Sequence, residues 1–286
     1  MSKRGVFVGL STIDIAYLVD RVPRSDEKIV AGEQLVAAGG PATNAAITFA
    51  HLGGQATLVA PLGRHPLVAI QEAELAAFGV GVARHGRDRA PALAVSSIFV
   101  TRASGERAVV SVNASQAQAI PDDFDLSPVD DADIVLVDGH HMALCVAAAA
   151  RARRQGVPVV YDGGSWKPGN DALLAHIDVA ICSADFMPPG CGDEDAVFDY
   201  LISRGVTRAA ITRGARPVVF RTTTEHGDVA VPAVDVADTL GAGDIFHGAF
   251  CFHYPERGFA DALATAARIA AHSCTRFGTR AWMGAG

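Results

Sequence analysis

The chain has 286 residues, of which 50% are hydrophobic and 19% are charged, a composition that supports one large core and argues against disorder. Its formal net charge of -7, without any dense run of Lys and Arg, excludes a general nucleic-acid binder. The 5 cysteines form no Cys-x-x-Cys pair, so they predict neither a disulfide framework nor a zinc site.

The amino-terminal region predicts a cytoplasmic protein without a signal peptide or membrane span. Its apolar run is interrupted by Asp14 and Asp20, which leaves no stretch long enough to cross a bilayer. Residues 5–10 predict a buried first strand that ends near a loop over residues 11–14. Asp14 would then lie beyond the carboxyl end of this strand.

Two separate segments predict a small sheet outside the core. Residues 16–36 mix apolar and polar positions and contain turn-forming residues, which favours short half-exposed strands over a helix. Residues 93–112 are also strand-like, with a hairpin signal at Ser104-Gly105. We therefore predict one domain over residues 1–286, with a discontinuous β lid over approximately 14–37 and 91–113.

The remaining pattern predicts an α/β fold with a doubly wound, Rossmann-type parallel sheet. Residues 44–52 have helical spacing and precede a strand over residues 56–60. After residue 132, apolar strands alternate with alanine-rich helices; the strands are predicted over 134–137, 157–161, 179–182 and 209–212. Ligands of such sheets bind at the carboxyl ends of the strands.

The segment Asp238-Thr239-Leu240-Gly241-Ala242-Gly243-Asp244 carries the clearest chemical signal. It follows a strand-like stretch over residues 229–236 and opens an apolar helix, so its N–H groups and the helix dipole would face an anion. The Asp244 carboxylate would repel a phosphate at this position, so its presence there suggests a chemical role. Accepting the proton of an attacking hydroxyl is such a role. Alternatively, the glycines form a tight turn and Asp244 only complements the helix dipole.

Two common nucleotide motifs are absent from the sequence. No Gly-Lys-Ser/Thr occurs, which excludes a Walker loop, and no full Gly-x-Gly-x-x-Gly follows the first strand. Dinucleotide chemistry, as in a nicotinamide-dependent dehydrogenase, is therefore a distant alternative.

Residues 238–244 resemble the carboxy-terminal signature of the PfkB carbohydrate kinases, and residues 39–46 with Leu52-Gly53 resemble the amino-terminal one. The similarity extends from Asp14 to the closing loop at residues 276–278. It implies a ribokinase-like fold with a β-sheet lid and ATP-dependent phosphorylation of a sugar hydroxyl. In that reading Asp244 is the catalytic base, and the backbone over residues 241–244 (Gly241, Ala242, Gly243 and Asp244) is the anion hole.

The same resemblance implies a sugar site and an ATP site. The resemblance implies that the sugar side is formed by Asp14, Gly39, Gly40 and Asn44. The local pattern alone favours a helix cap for Asn44 and a turn for the two glycines. The ATP side would be formed by Thr212, Gly214, Gly241, Gly243 and Gly278.

Further matches resemble ketohexokinase, namely residues 23–26, the hairpin at 105–107 and Asp138-Gly139. They imply that Asp138 binds substrate and that Asp26 reaches the sugar site of a partner, giving a homodimer through the lid. Arg107 would either bind substrate or lie in solvent.

Residues 243–249 and 274–276 also resemble bacterial sulfofructose kinases. The predicted substrate is a ketohexose such as fructose or a related furanose; ribose, a nucleoside, a sugar acid and sulfofructose are alternatives. An anionic substituent would need cations, for which Arg64, Arg107 and Lys167 are candidates. A noncatalytic sugar- or nucleotide-binding regulator is the alternative from another class.

Magnesium is expected with ATP, but no protein ligand is assigned to it. The family's Asn-x-x-Glu is missing at residues 182–186, so Mg²⁺ would be held mainly by ATP phosphates and water. The closing loop also allows for K⁺. Residues 138–141 have poor spacing for a metal site, which favours hydrogen-bonded or substrate-lining histidines there.

Overall fold

The structure is a computed structural model that describes residues 2–83, 93–113 and 117–284. Residues 91 and 92, at the start of the second predicted lid segment, lie outside the described residues. The strands are β1 (Arg4–Val8), β2 (Thr12–Val19), β3 (Glu33–Gly39), β4 (Gln55–Val59), β5 (Gly81–Val82), β6 (Ala94–Thr101), β7 (Arg107–Ser111), β8 (Ile134–Val137), β9 (Val159–Gly163), β10 (Val179–Ser183), β11 (Arg208–Arg213), β12 (Arg216–Thr222) and β13 (His226–Val229). The α-helices are α1 (Pro41–His51), α2 (Val68–Ala77), α3 (Met142–Gln155), α4 (Asn170–Leu174), α5 (Glu194–Ser203), α6 (Ala242–Arg257) and α7 (Phe259–Ser273).

The main sheet has the strand order β13-β12-β11-β10-β9-β8-β1-β4-β5 in the part of the chain that the structure describes. Neighbouring strands are parallel from β11 to β5, whereas β12 and β13 extend one edge as antiparallel strands. Strands β8, β9 and β10 are buried almost throughout because helices cover both faces. The predicted doubly wound α/β fold is confirmed.

The core lies on both faces of this sheet. One face packs Phe7 and Ile181 against apolar side chains of α1, α6 and α7, including Phe49 and Phe250. The other face packs its strands mainly against α3 and α5, including Leu144. No helix in residues 2–83, 93–113 and 117–284 is both long and apolar enough to cross a membrane.

A small sheet with the order β3-β2-β6-β7 is also present. Strand β2 pairs antiparallel with β3 and parallel with β6, and β6 pairs antiparallel with β7. The loop predicted over residues 11–14 is wrong, because β2 begins at Thr12; Asp14 lies within β2, opposite Ala37 and Ser96 and beyond the carboxyl end of β1. Only three residues separate β1 from β2, so the chain enters the small sheet earlier than its apolar pattern indicates.

The strand predicted over residues 229–236 is also wrong. Strand β13 ends at Val229, and residues 230–236 have no regular structure. Pro232 lies in this stretch and lacks the N–H that a strand ladder needs. The glycine-rich motif is therefore reached through irregular backbone, which carries the chain back toward the small sheet.

The backbones of helices α1 and α6 approach each other closely, and this contact brings Asn44 and Asp244 together. A Cβ atom at Gly248 would lie 2.4 Å from the carbonyl oxygen of Ala45, so only glycine allows the observed approach. Asn44 precedes Ala45 on α1, and Asp244 lies one turn before Gly248 on α6. The contact brings the two signature segments together across 200 residues of sequence.

Candidate active site

A cavity of about 460 Å³ lies where the carboxyl ends of the main-sheet strands face the small sheet. Main-sheet strand ends contribute Leu10, Asp138, Asp162, Ser183 and Thr212 to its walls. The small sheet contributes Thr12, Asp14, Ser96, Arg107 and Ser111. The helix starts of α1 and α6 form the floor, through Asn44 and Asp244 among others.

Asp238 holds the glycine-rich motif against the closing turn of the chain. Its carboxylate is buried and accepts the N–H of Leu240 at 2.8 Å and the N–H of Gly278 at 2.9 Å. These two contacts satisfy a carboxylate that would otherwise be costly to bury. The first residue of the motif is therefore structural and fixes the approach to α6.

Helix α6 presents a partly open anion site at its N-terminus. Gly241 caps the helix with a left-handed φ of 70°, and within the described part of the chain the N–H groups of Gly243 and Asp244 meet no protein acceptor. The prediction for Ala242 is wrong in one respect, because its N–H donates to the carbonyl oxygen of Thr239 at 3.3 Å. The tight turn before the helix uses that donor, which leaves the next two N–H groups for an anion.

Asp244 is half-buried and lines the cavity beside these donors. Its Oδ2 accepts a hydrogen bond from Nδ2 of Asn44 at 2.7 Å. Burial, followed by the charge of Asp162, raises the pKa of the Asp244 carboxyl to about 7, against the opposing effects of Asn44, His247 and Arg107. A carboxylate with such a pKa is suited to accept a proton near neutral pH.

His247 anchors the first turn of α6 to the main sheet. Its Nδ1 lies 2.7 Å from the carbonyl oxygen of Gly243, and its Nε2 lies 3.1 Å from that of Ile181. Nδ1 also lies 3.5 Å from Oδ2 of Asp162, a buried carboxylate at the end of β9. These contacts show that His247 supports the start of the helix.

Asp14 and Gly40 form part of one wall of the cavity, whereas Gly39, the last residue of β3, does not line it. Oδ1 of Asp14 accepts the hydroxyl of Thr12 at 2.6 Å, and burial raises the pKa of the Asp14 carboxyl. A Cβ atom at Gly39 would lie 2.0 Å from Oδ2 of Asp14, so the β3 backbone runs directly against this carboxylate. Gly40 lines the cavity itself.

Asp138 has a clear structural task at the strand ends. It is buried, and its carboxylate accepts the N–H of Leu10 at 2.7 Å and the N–H of His140 at 2.9 Å. These bonds join the segments that follow β1 and β8. Asp138 also lines the cavity, so its predicted contact with substrate stays a prediction.

Arg107 joins the small sheet to the glycine-rich motif. Its Nη1 lies 3.0 Å from both the carbonyl and the hydroxyl oxygen of Thr239, whose own N–H and hydroxyl donate to the carbonyl oxygen of Gly105. The β6–β7 hairpin is thereby docked on the motif. Asp26, in contrast, lies exposed between β2 and β3 and does not line the cavity of its own chain.

The predicted ATP-side residues occupy two places. Thr212 lines the cavity at the end of β11, and Gly214 follows it in the turn to β12 with a φ of 63°. Gly278 is buried between Asp238 and Leu35 and does not line the cavity. Of the residues 138–141, His140 lines the cavity, whereas His141 accepts the N–H of Ala119 at 3.2 Å.

Two charged residues, Arg280 and Glu74, lie behind Asn44 and could not be predicted from the sequence. Nη1 of Arg280 donates to Oδ1 of Asn44 at 2.9 Å, and its Nε donates to Oε1 of Glu74 at 2.8 Å. The two residues are 206 positions apart and belong to no local motif. Asp162 is a third such residue, because nothing in the sequence shows that its charge acts on Asp244.

Comparison with known proteins identifies the family to which the chain belongs. A match to the family described as "pfkB family carbohydrate kinase" covers residues 2–283. Deoxyribokinase of Salmonella typhi is 22% identical over 96% of this chain and 93% of its own length. Ribokinase of Mus musculus is 25% identical over 96% and 90%. The ATP-dependent ribose-1-phosphate kinase of Halopiger xanaduensis is 28% identical over 83% and 80%.

Solved structures of sugar kinases share the fold. Ribokinase of Thermotoga maritima superposes with a TM-score of 0.80 at 22% identity, covering 99% of this chain and 96% of that one. Arabidopsis thaliana ribokinase, solved with ribose and ATP, gives 0.75 at 24% identity, covering 97% and 94%. Fructokinase of Xylella fastidiosa, solved with ATP, gives 0.81 at 21% identity, covering 99% and 95%. The predicted family is confirmed, and the chain belongs to the pfkB family of carbohydrate kinases.

Proposed function

We propose that this sugar kinase transfers the γ-phosphoryl group of ATP to a sugar hydroxyl, with Asp244 as the general base. The observation that carries this proposal is the position of the Asp244 carboxylate, which lines the cavity next to the N–H groups of Gly243 and Asp244, for which the described part of the chain offers no acceptor. A base and an anion site so close together are what an attacking hydroxyl and a transferring phosphoryl group require.

In this mechanism the sugar lies between the small sheet and α1, and ATP lies along the carboxyl ends of β9 to β11. Asp244 accepts the hydroxyl proton as the sugar oxygen forms a bond to the γ-phosphorus. The bond between that phosphorus and the β,γ-bridging oxygen breaks, and ADP leaves. The N–H groups of Gly243 and Asp244 stabilise the negative charge on the transferring group. The small sheet would act as a lid that excludes water.

The cavity offers oxygen donors that suit magnesium. Asp162 and Asp185 line it at the ends of β9 and β10, and Mg²⁺ prefers carboxylate, phosphate and water oxygens. These two residues would hold the ion together with ATP phosphates and water. When bound, the ion neutralises phosphate charge.

The substrate class rests on the polar wall that the small sheet provides. Asp14, Ser96 and Ser111 present the acceptors and hydroxyls that adjacent sugar hydroxyls need. We propose a ketohexose or related furanose as the substrate. Ribose and deoxyribose are the next candidates because ribokinases and a deoxyribokinase are among the relatives. The lid-mediated homodimer, the role of Asp26 and a K⁺ requirement stay predictions.

The test is ADP release from magnesium-ATP across a substrate panel: fructose, ribose, deoxyribose, nucleosides, sugar acids and sulfofructose. Saturable turnover of one sugar, with phosphate found on a hydroxyl of the product, would support the proposal and name the substrate. Sugar binding without turnover of any member would instead favour a binding regulator.

We predict an acidic limb in the pH profile of kcat/KM with an apparent pKa of about 7. Burial and Asp162 raise the pKa of Asp244 to about 7, so the carboxylate is progressively protonated below that pH and can no longer accept a proton. We expect kcat/KM to fall about tenfold for each pH unit below this pKa. Initial rates between pH 5 and 9 would measure it, and a rate independent of pH over this range would contradict the assignment.

The substitution Asp14→Asn is expected to raise the sugar KM about 30-fold and to change kcat only slightly, because a hydrogen bond to a charged group is lost on binding. Steady-state kinetics on the sugar identified by the panel would measure both constants. The matched control is Asp20→Asn, which changes an exposed aspartate directly after the same strand. Equal kinetics for the two variants would remove Asp14 from the sugar site.

A further inference from the structure

Arg280, Asn44 and Asp244 form a continuous hydrogen-bonded line from the closing turn of the chain to the proposed base. Nη1 of Arg280 donates to Oδ1 of Asn44 at 2.9 Å, and Nδ2 of Asn44 donates to Oδ2 of Asp244 at 2.7 Å. Asn44 is buried, so its amide exchanges these partners for water only at considerable cost.

The chemistry of the three groups fixes the direction of these bonds. A guanidinium group can only donate, so the oxygen end of the Asn44 amide must face Arg280. The amide nitrogen must then face Asp244, where it donates to the carboxylate. Arg280 thereby prevents the amide from turning over and presenting its oxygen to the base, which would repel an ionised carboxylate.

Arg280 is itself held in one orientation from three sides. Its Nε donates to Oε1 of Glu74 and its Nη2 donates to the carbonyl oxygen of Ala38, each at 2.8 Å. Oε2 of Glu74 accepts the N–H of Ala38 at 2.6 Å. The side chains of Arg280 and Glu74 are only 14% and 17% exposed. A buried ion pair rarely adds much stability to a fold. The several hydrogen bonds that hold Arg280 therefore point to a role in placing other groups.

We propose that Arg280, held by Glu74, is a positioning residue that acts through Asn44 to orient the Asp244 carboxylate and to keep it ionised. This inference rests on the proposed role of Asp244 as the base. It also gives the end of the chain a function, because the turn that carries Arg280 is joined to the glycine-rich motif by the bond between Gly278 and Asp238.

Several charged groups face Asp244, and the prediction depends on their balance. Asp162 approaches from β9, His247 from the same helix and Arg107 from β7, while Arg280 lies behind Asn44. Removing Arg280 takes away a positive charge that interacts with the Asp244 carboxylate. Protonation of Asp244 is then favoured, so the acidic limb of the pH profile moves to higher pH.

The experiment measures kcat, KM and the pH profile of Arg280→Gln, Arg280→Lys, Asn44→Ala and the double variant Asn44→Ala/Arg280→Gln. For Arg280→Gln we expect kcat to fall about 20-fold, the sugar KM to change less than about 3-fold, and the acidic limb to move to higher pH. Arg280→Lys keeps the charge but cannot span the same three acceptors, so we expect partial rescue. On the Asn44→Ala background, Arg280→Gln should change kcat by less than about 2-fold.

The matched control is Arg151→Gln, which removes a bidentate ion pair with Asp130 on the opposite side of the sheet and should leave kcat unchanged. A purely structural Arg280 would lower thermal stability in Arg280→Gln while leaving kcat and the acidic limb as in the wild type, and that result overturns the proposal. Independent, multiplying effects of the Asn44 and Arg280 substitutions also overturn it. If Arg280→Gln does not fold, an unchanged kcat in Arg280→Lys decides against the proposal, because lysine cannot span the same three acceptors. Near-normal activity of Asp244→Asn would instead reject the proposed base.

Discussion

Replacing Asp244 with asparagine is expected to lower kcat by about 10³-fold while leaving sugar binding nearly intact. The amide has the size of the carboxylate but cannot accept the hydroxyl proton, and general-base catalysis typically contributes about 10²- to 10⁴-fold. The pKa of the Asp244 carboxyl, raised to about 7 by burial and by Asp162, matches the task of a base near neutral pH. Single-turnover ADP formation would measure the rate, and calorimetry would measure sugar affinity.

The matched control is Asp261→Asn. Asp261 also lies in the first turn of its helix, α7, where it is exposed and complements the helix dipole. If Asp244 had only that electrostatic role, the two variants would behave alike, with a small loss of stability and ordinary kcat. A loss of activity confined to Asp244→Asn separates the base from the dipole partner, which the sequence left as alternatives.

The glycine-rich motif was predictable because the groups that form it are neighbours in the sequence. The helix start, its first N–H groups and the Asp244 carboxylate lie within four residues of one another, so the sequence alone predicts that they are close in space. Even there, the engagement of the Ala242 N–H by Thr239 depended on the exact turn before the helix. Composition and periodicity cannot specify such a turn.

The long-range part of the site was not predictable from patterns. Asn44 meets Asp244 because Gly248 lets α6 approach α1, and Arg280 meets Glu74 because the closing turn folds under α2. Each contact joins residues about 200 positions apart, and only the family resemblance assigned Asn44 to the site, as a sugar ligand. The loop over residues 11–14 was predicted wrongly for a related reason, since the apolar pattern does not mark where the chain changes sheets.

Gly241→Ala is expected to lower kcat about 100-fold, because it disturbs the N–H groups that face the phosphoryl group. Gly241 has a left-handed φ of 70°, and a Cβ atom there would lie 2.8 Å from Cγ2 of Thr279 and 3.4 Å from Nδ2 of Asn44. The alanine must therefore either move the closing turn or move the start of α6. Both movements change the geometry around Asp244.

Gly156→Ala separates this local displacement from simple backbone strain. Gly156 ends α3 with a φ of 73°, almost the same conformation, but a Cβ atom there would meet nothing within 4 Å. Both variants should lose about 1–2 kcal/mol of unfolding free energy in denaturant titrations, the cost of a left-handed alanine. Only Gly241→Ala should lose kcat. Equal stability losses with full activity in both would mean that the start of α6 tolerates displacement, and the N–H groups of Gly243 and Asp244 would then not be the ones that stabilise the transferring phosphoryl group.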